Sequence, residues 1–246
     1  MNTGMKNYMI TIDTGTTNTR TILWDANRRM VRTEKAAVGV RNTAIDGSNS
    51  RLKEAVKNCL DALIRKAEIS YDEIKCVIAS GMITSNVGLV EIPHIVVPAG
   101  IRDLAQAVTA VSLPDVCPIP IHFIPGVKNS GGKIDWENFE MMDIMRGEEV
   151  ESCAIIEQLP KGVSALLVLP GSHTKFISVN EAGQMTGCLS SITGELLSSI
   201  TNDTILADAV GHKFVEEATY DPEMVLLGYD TAKKTGLGRT CFSGRI

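Results

Sequence analysis

Apolar and β-branched residues dominate 8–12 and 19–24, and apolar and polar residues mix in a third stretch from about 30 to 38. Short runs of this kind between turn residues mark strands. Small and polar residues interrupt the runs, at 13–18 and at Asp25-Ala26-Asn27. This part reads as a three-stranded meander with a small-residue loop at its first bend. Over 50–68 the apolar spacing changes to three and four. Leu52, Ala55, Val56, Cys59, Leu60, Leu63 and Ile64 share one side, which predicts an amphipathic helix. Residues 75–79 predict a short buried strand that ends in the small-residue loop 80–88. Residues 101–111 predict another helix, and 119–124 a strand stopped by Pro125-Gly126.

Residues 127–140 are polar and contain consecutive glycines, and they read as a crossover between two lobes, 1–126 and 127–246. A helix is predicted from near Asp143 to about Leu159, ended by Pro160-Lys161-Gly162. Strands follow at 164–169, 176–179 and 184–190, with the loop Pro170-Gly171-Ser172-His173-Thr174-Lys175 at the first bend. Strand, small-residue loop, strand, Asn/Asp turn and strand therefore occur twice, over 8–38 and 164–191. This is an internal repeat of pattern with little identity behind it.

Composition narrows the function classes. With 246 residues and 44% hydrophobic positions, the chain can bury a large core in one or two lobes. A net charge of −5 argues against nucleic acid as a main partner. No run of about 18 apolar residues exists to span a membrane, and the first residues lack the apolar stretch of a signal peptide. The six cysteines stand alone, without a C-x-x-C pair, as apolar fillers in a reducing compartment. The expectation is a cytoplasmic protein.

Two Gly/Thr-rich hairpin loops can present backbone N–H groups to phosphate oxygens from both sides of a cleft. An acidic residue at one loop can hold Mg²⁺ through waters. Either loop alone would be ordinary turn chemistry, and Lys175 alone a solvated strand-edge residue. Asp13-Thr14-Gly15 is also the triplet of aspartic proteases, which need two carboxylates sharing a proton. Pro170 stands at the matching place of the second repeat, so the protease reading is the distant alternative.

The run Ile10-Thr11-Ile12-Asp13-Thr14-Gly15-Thr16-Thr17-Asn18-Thr19-Arg20 resembles the phosphate loop of the 2-dehydro-3-deoxygalactonokinase family. Further segments match that family in order: Ser80-Gly81-Met82-Ile83-Thr84-Ser85-Asn86-Val87-Gly88, Met145-Arg146-Gly147-Glu148-Glu149, Leu169-Pro170-Gly171-Ser172-His173-Thr174-Lys175 and Thr193-Gly194-Glu195-Leu196. The resemblance implies an α/β protein with two ribonuclease-H-like lobes of the actin/hexokinase-like (ASKHA) fold around a central cleft. It also implies an ATP- and Mg²⁺-dependent kinase that phosphorylates the C6 hydroxyl of 2-dehydro-3-deoxy-D-galactonate in galactonate catabolism.

On that resemblance, Asp13 binds Mg²⁺ through water, and Thr14, Gly15, Thr16 and Thr17 meet the transferred phosphate. Gly171, Ser172 and Thr174 hold the β-phosphate and Lys175 adds charge. His173 is either a phosphate donor or an orienting side chain. Glu148 is the first candidate for the catalytic base, with Asp143 and Glu149 next; some of these carboxylates only complement the helix dipole. Arg146 suits the substrate carboxylate, unless it pairs with Glu148 or Glu149. Gly81, Met82, Ser85 and Asn86 line the sugar pocket or form a structural loop. Related kinases continue beyond Cys241-Phe242-Ser243-Gly244-Arg245-Ile246, so the second lobe is expected to be incomplete. Exposed apolar surface, poor solubility or a compensating homodimer would follow. A non-catalytic sugar-acid-binding remnant is the main alternative to a kinase.

Overall fold

The computed structural model describes residues 7–214 and 216–244. The opening residues 1–6 and the terminal Arg245 and Ile246 lie outside the described residues. The predicted three-stranded meander forms. Strands β1 (Tyr8–Thr14), β2 (Thr19–Trp24) and β3 (Met30–Ala36) pair antiparallel in sequence order. A short helix α1 (Val40–Asp46) leads to the long helix α2 (Ser50–Ala67). Strand β4 (Ile74–Gly81) then pairs parallel with β1 on its other edge. Two-residue β5 (Ile95–Val96) precedes helix α3 (Ile101–Ala107), β6 (Thr109–Val111) and β7 (Ile121–Phe123).

The resulting six-stranded sheet has the order β3-β2-β1-β4-β7-β6. Its buried face carries Ile10, Ile12, Leu23, Val77 and Phe123. Leu52, Val56, Leu60 and Leu63 of α2 belong to the same core. Each such side chain contributes about 1.5–3 kcal/mol by leaving water. Arg65 and Lys66 occupy the last turn of α2, where cations complement the exposed carbonyls, and the left-handed Glu68 ends it. The Lys66 ammonium also meets the Glu34 carboxylate of β3 at 2.7 Å.

The predicted helix over 101–111 is shorter than its apolar spacing suggests. The chain leaves helical geometry at Val108, and Thr109–Val111 pairs antiparallel with β7. The predicted crossover at 127–140 is partly strand. β8 (Val127–Lys128) pairs with β5 and with β9 (Ile144–Met145). The helix expected from Asp143 to Leu159 is reduced to α4 (Glu148–Ile156). Asp143 and Arg146 lie outside it, because Gly147 takes φ 124°, a left-handed value no helix accommodates.

Strands β10 (Ala165–Leu169), β11 (Thr174–Val179) and β12 (Met185–Ser191) form a separate sheet in sequence order, so the repeat exists as two three-stranded meanders. Helices α5 (Thr193–Asp203), α6 (Pro222–Thr235) and α7 (Leu237–Ser243) follow. The chain divides into two compact units. The first runs to Val168 and resumes over Lys175–Leu189. The second contains Leu169–Thr174 and the residues from Ser190 onward. Met224, Val225, Leu226 and Leu227 of α6 are exposed apolar residues of that second unit. Among the described residues, no helix is long and apolar enough to cross a membrane.

Candidate active site

The first phosphate-loop candidate is the β1–β2 bend. Asp13 sits at the end of β1, in register with Arg20 on β2 and Ser80 on β4. Burial raises the Asp13 pKa above the ordinary carboxylate value, and the Arg20 charge partly offsets this. Thr14 is fully buried and its hydroxyl meets that of Thr19 at 3.2 Å. Thr19 donates in turn to the Val38 carbonyl at 2.8 Å. The Thr14 hydroxyl therefore braces the loop from inside. The Gly15 N–H closes the bend on the Asn18 carbonyl at 2.9 Å, and Thr16 and Thr17 are exposed.

Gly39, which the sequence pattern did not single out, supports this bend. A Cβ there would lie 2.5 Å from the Thr16 carbonyl carbon and oxygen. The following residues anchor the loop as well: Val40 N–H donates to Gly15 O at 3.2 Å, and Arg41 N–H to Thr16 O at 2.9 Å.

The sugar-pocket candidates follow β4 directly. Gly81 has φ 84°, and a Cβ on it would lie 2.8 Å from the Thr14 carbonyl oxygen and 3.0 Å from Asp13 Oδ1. Only glycine combines that backbone with that approach. Ser85 donates its hydroxyl to the Met82 carbonyl at 2.7 Å, and Thr84 donates to Gly81 O at 3.0 Å. Met82 is half-buried and Asn86 exposed.

The 145–149 segment meets this loop through its own glycine. A Cβ on Gly147 would stand 3.4 Å from the Gly81 Cα. Two carboxylates fold back onto the peptide groups before α4: Glu148 Oε2 accepts from Arg146 N–H at 3.0 Å, and Glu149 Oε2 from Gly147 N–H at 2.7 Å. Their placements differ. Glu149 is fully buried and its Oε1 has no hydrogen-bond partner, whereas Glu148 is partly exposed. Burial pushes the Glu149 pKa up to about 7. Glu151, one turn on, has its pKa raised by burial and then by the negative charges of Glu148 and Asp13. Asp13, Glu148 and Glu151 thus share one electrostatic neighbourhood, and the last of these was not expected from the sequence.

Arg146 hydrogen-bonds to the 84–94 loop, with Glu149 near enough for their charges to interact. Its terminal nitrogens donate to the Thr84 carbonyl, to the Thr84 hydroxyl at 2.6 Å, to the Ile92 carbonyl at 3.2 Å and to His94 Nδ1 at 3.2 Å. A guanidinium has planar donor directions, and here the 84–94 loop takes those of both terminal nitrogens. Burial, with Arg146 and Lys128 nearby, lowers the His94 pKa to about 4, so the ring is neutral and can accept that bond.

Lys175 is also placed differently from a solvated strand-edge residue. It is buried at the start of β11 and donates to the Ile144 carbonyl at 2.6 Å. Asp143 lies 3.8 Å away and Glu148 4.0 Å away. Nearby Cys188 has its pKa pushed up to about 12, chiefly by burial.

The other loop candidates belong to the second unit. The loop carrying Gly171, Ser172, His173 and Thr174 rests on the start of α5. The Glu195 N–H donates to the Ser172 carbonyl at 3.1 Å, and a Cβ on Gly194 would collide with the Gly171 carbonyl. His173 Nε2 lies 2.9 Å from Glu195 Oε2, which gives the imidazole an orienting partner.

The family model described as 2-keto-3-deoxy-galactonokinase matches residues 13–246. A 2-dehydro-3-deoxygalactonokinase of Escherichia coli K12 is 26% identical over 198 residues, which cover 80% of this chain and 58% of that protein. A crystal structure from Sinorhizobium meliloti, provisionally assigned as a 2-dehydro-3-deoxygalactonokinase, superposes with a TM-score of 0.73 at 23% identity. That likeness covers 97% of this chain and 72% of the other. The chain shares its α/β fold with that structure. The chain belongs to the 2-keto-3-deoxy-galactonokinase family.

Proposed function

We propose that this protein transfers the γ-phosphoryl group of ATP to the C6 hydroxyl of 2-dehydro-3-deoxy-D-galactonate. The observation that carries the reading is the meeting of three sequence-distant segments: Asp13 and Thr14 approach Gly81, and Gly81 approaches Gly147 beside Glu148. A phosphate loop, a pocket loop and a carboxylate are what positioning-dominated phosphoryl transfer requires.

Glu148 is the proposed base. It is partly exposed, whereas Glu149 is fully buried, and Lys175 keeps a positive charge near Glu148 and Asp143. Glu148 takes the proton of the C6 hydroxyl, the hydroxyl oxygen bonds to the γ-phosphorus, and the bond to the β–γ bridging oxygen breaks to release ADP. Thr16 and Thr17 offer backbone and hydroxyl donors to the transferred group, Gly15 shapes the bend through its bond to Asn18, and Thr14 braces it from inside. In the second unit, Gly171, Ser172 and Thr174 form a nucleotide-binding loop that His173 and Glu195 hold in shape. Met82, Ser85 and Asn86 lie on the loop assigned to the sugar.

Asp13 suits Mg²⁺ through water. No group of three or more His, Cys, Asp or Glu side chains able to hold a metal gathers among the described residues. A single strand-end carboxylate fits an ion that keeps most of its hydration. When bound, Mg²⁺ would neutralise phosphate charge. We keep 1–126 and 127–246 as the lobes, one meander in each, in a cytoplasmic protein that can pair as a homodimer.

Titration calorimetry with ATP–Mg²⁺ and with the sugar acid tests the reading. Both should bind. Sugar-acid binding without nucleotide binding would instead support a non-catalytic remnant.

A further inference from the structure

Arg146 closes a circuit through the proposed pocket. Its guanidinium donates to the Thr84 hydroxyl at 2.6 Å, and that hydroxyl donates to the Gly81 carbonyl at 3.0 Å. Gly81 packs against Gly147, the residue that follows Arg146, at 3.4 Å from the position of a Gly147 Cβ. The other arm of the guanidinium reaches Ile92 and His94, at the far end of the same loop. Both ends of the 81–94 segment are therefore tied to one side chain.

We infer that Arg146 is a positioning residue: it sets the sugar-facing loop in register with Gly147 and Glu148 without itself touching the substrate carboxylate. The inference rests on the kinase reading for the identity of the ligand, but its geometry stands without it. Two further observations favour it. The loop has backbone bonds of its own, Leu89 N–H to Ile83 O at 2.8 Å and Ile92 N–H to Thr84 O at 2.9 Å, and Arg146 ties this folded loop to its neighbour. His94 accepts through Nδ1, and its Nε2 is buried without a partner. This ring therefore helps orient Arg146 and does not reach toward solvent.

The test compares Arg146→Met and Thr84→Val with the wild-type chain. Thr84→Val keeps the shape of the side chain and removes the hydroxyl that links Arg146 to Gly81, while the guanidinium keeps its carbonyl partners. Hydrogen exchange reads the amides of Leu89 and Ile92 against those of α2. Calorimetry reads the sugar acid and its uncharged carboxamide. Exchange should rise in the loop and stay unchanged in α2. Both ligands should lose about tenfold or more in affinity, the scale of one charged hydrogen bond. Nucleotide affinity should hold.

Unchanged loop exchange in both variants overturns the inference. So does an affinity loss confined to the carboxylate-bearing ligand, which would place Arg146 on the substrate. A wild-type chain that binds no sugar acid would count against the kinase reading instead, and the exchange result would still decide the role of Arg146.

Discussion

The Lys175 ammonium lies 4.0 Å from the Glu148 carboxylate, reaching it from the start of β11. The same nitrogen is 3.8 Å from Asp143 and donates to Ile144 O. Lys175→Met keeps the length of the side chain and leaves the two carboxylates without this counter-charge. A stability loss of about 1–3 kcal/mol is expected from the buried donor alone, measured by urea unfolding. The catalytic constant should fall with ATP affinity unchanged. Weaker ATP binding would instead restore the phosphate role expected of Lys175 from the sequence.

Gly39→Ala tests the support beneath the first loop. The new Cβ would sit 2.5 Å from Thr16 backbone atoms, so the loop must move. Overpacking of this kind costs about 1–3 kcal/mol. Affinity for ATP–Mg²⁺ should drop in calorimetry while sugar-acid affinity holds.

Glu149 gives a pH signature. Its folded pKa is about 7, above its ordinary 4.5, because burial disfavours the charge. Between those values the folded state binds more protons than the unfolded state, so this group's contribution falls as pH rises. Its effect is most favourable below 4.5 and is lost by about 7. Glu149→Gln removes the titration. Its stability relative to wild type should therefore increase from pH 4.5 to 7, followed by chemical denaturation across that range.

His173 and Glu195 are both well exposed, so their pairing contributes little to folding. Glu195→Gln should change stability by less than about 1 kcal/mol. It should weaken nucleotide binding if the pair holds the Gly171–Ser172 turn in shape. Unchanged affinity would reduce the contact to a surface pairing.

The sequence made part of this legible because some elements carry their own signal. In β1 and β2 buried residues recur at every second position, and α2 places Leu52, Val56, Leu60 and Leu63 on one side. The helix expected from Asp143 failed at Gly147, where apolar spacing continues but the backbone turns left-handed. Arg146 could not be read locally, since its partners are Thr84, Ile92 and His94, which only the fold brings near. Gly39 was invisible for the same reason: its constraint is the Thr16 backbone of another hairpin. Pattern reveals elements, whereas contacts between distant segments decide which side chains are left for chemistry.

The central claim is that Glu148 acts as the base in a sugar-acid kinase site. It is tested by comparing wild type with Glu148→Gln in the transfer of labelled γ-phosphate from ATP to 2-dehydro-3-deoxy-D-galactonate. The substitution keeps the size of the side chain and the acceptor for Arg146 N–H. Loss of turnover by about 10²–10⁴-fold, the usual contribution of a positioned acid or base, with both ligands still bound, is the predicted result. Turnover at the wild-type rate would contradict it.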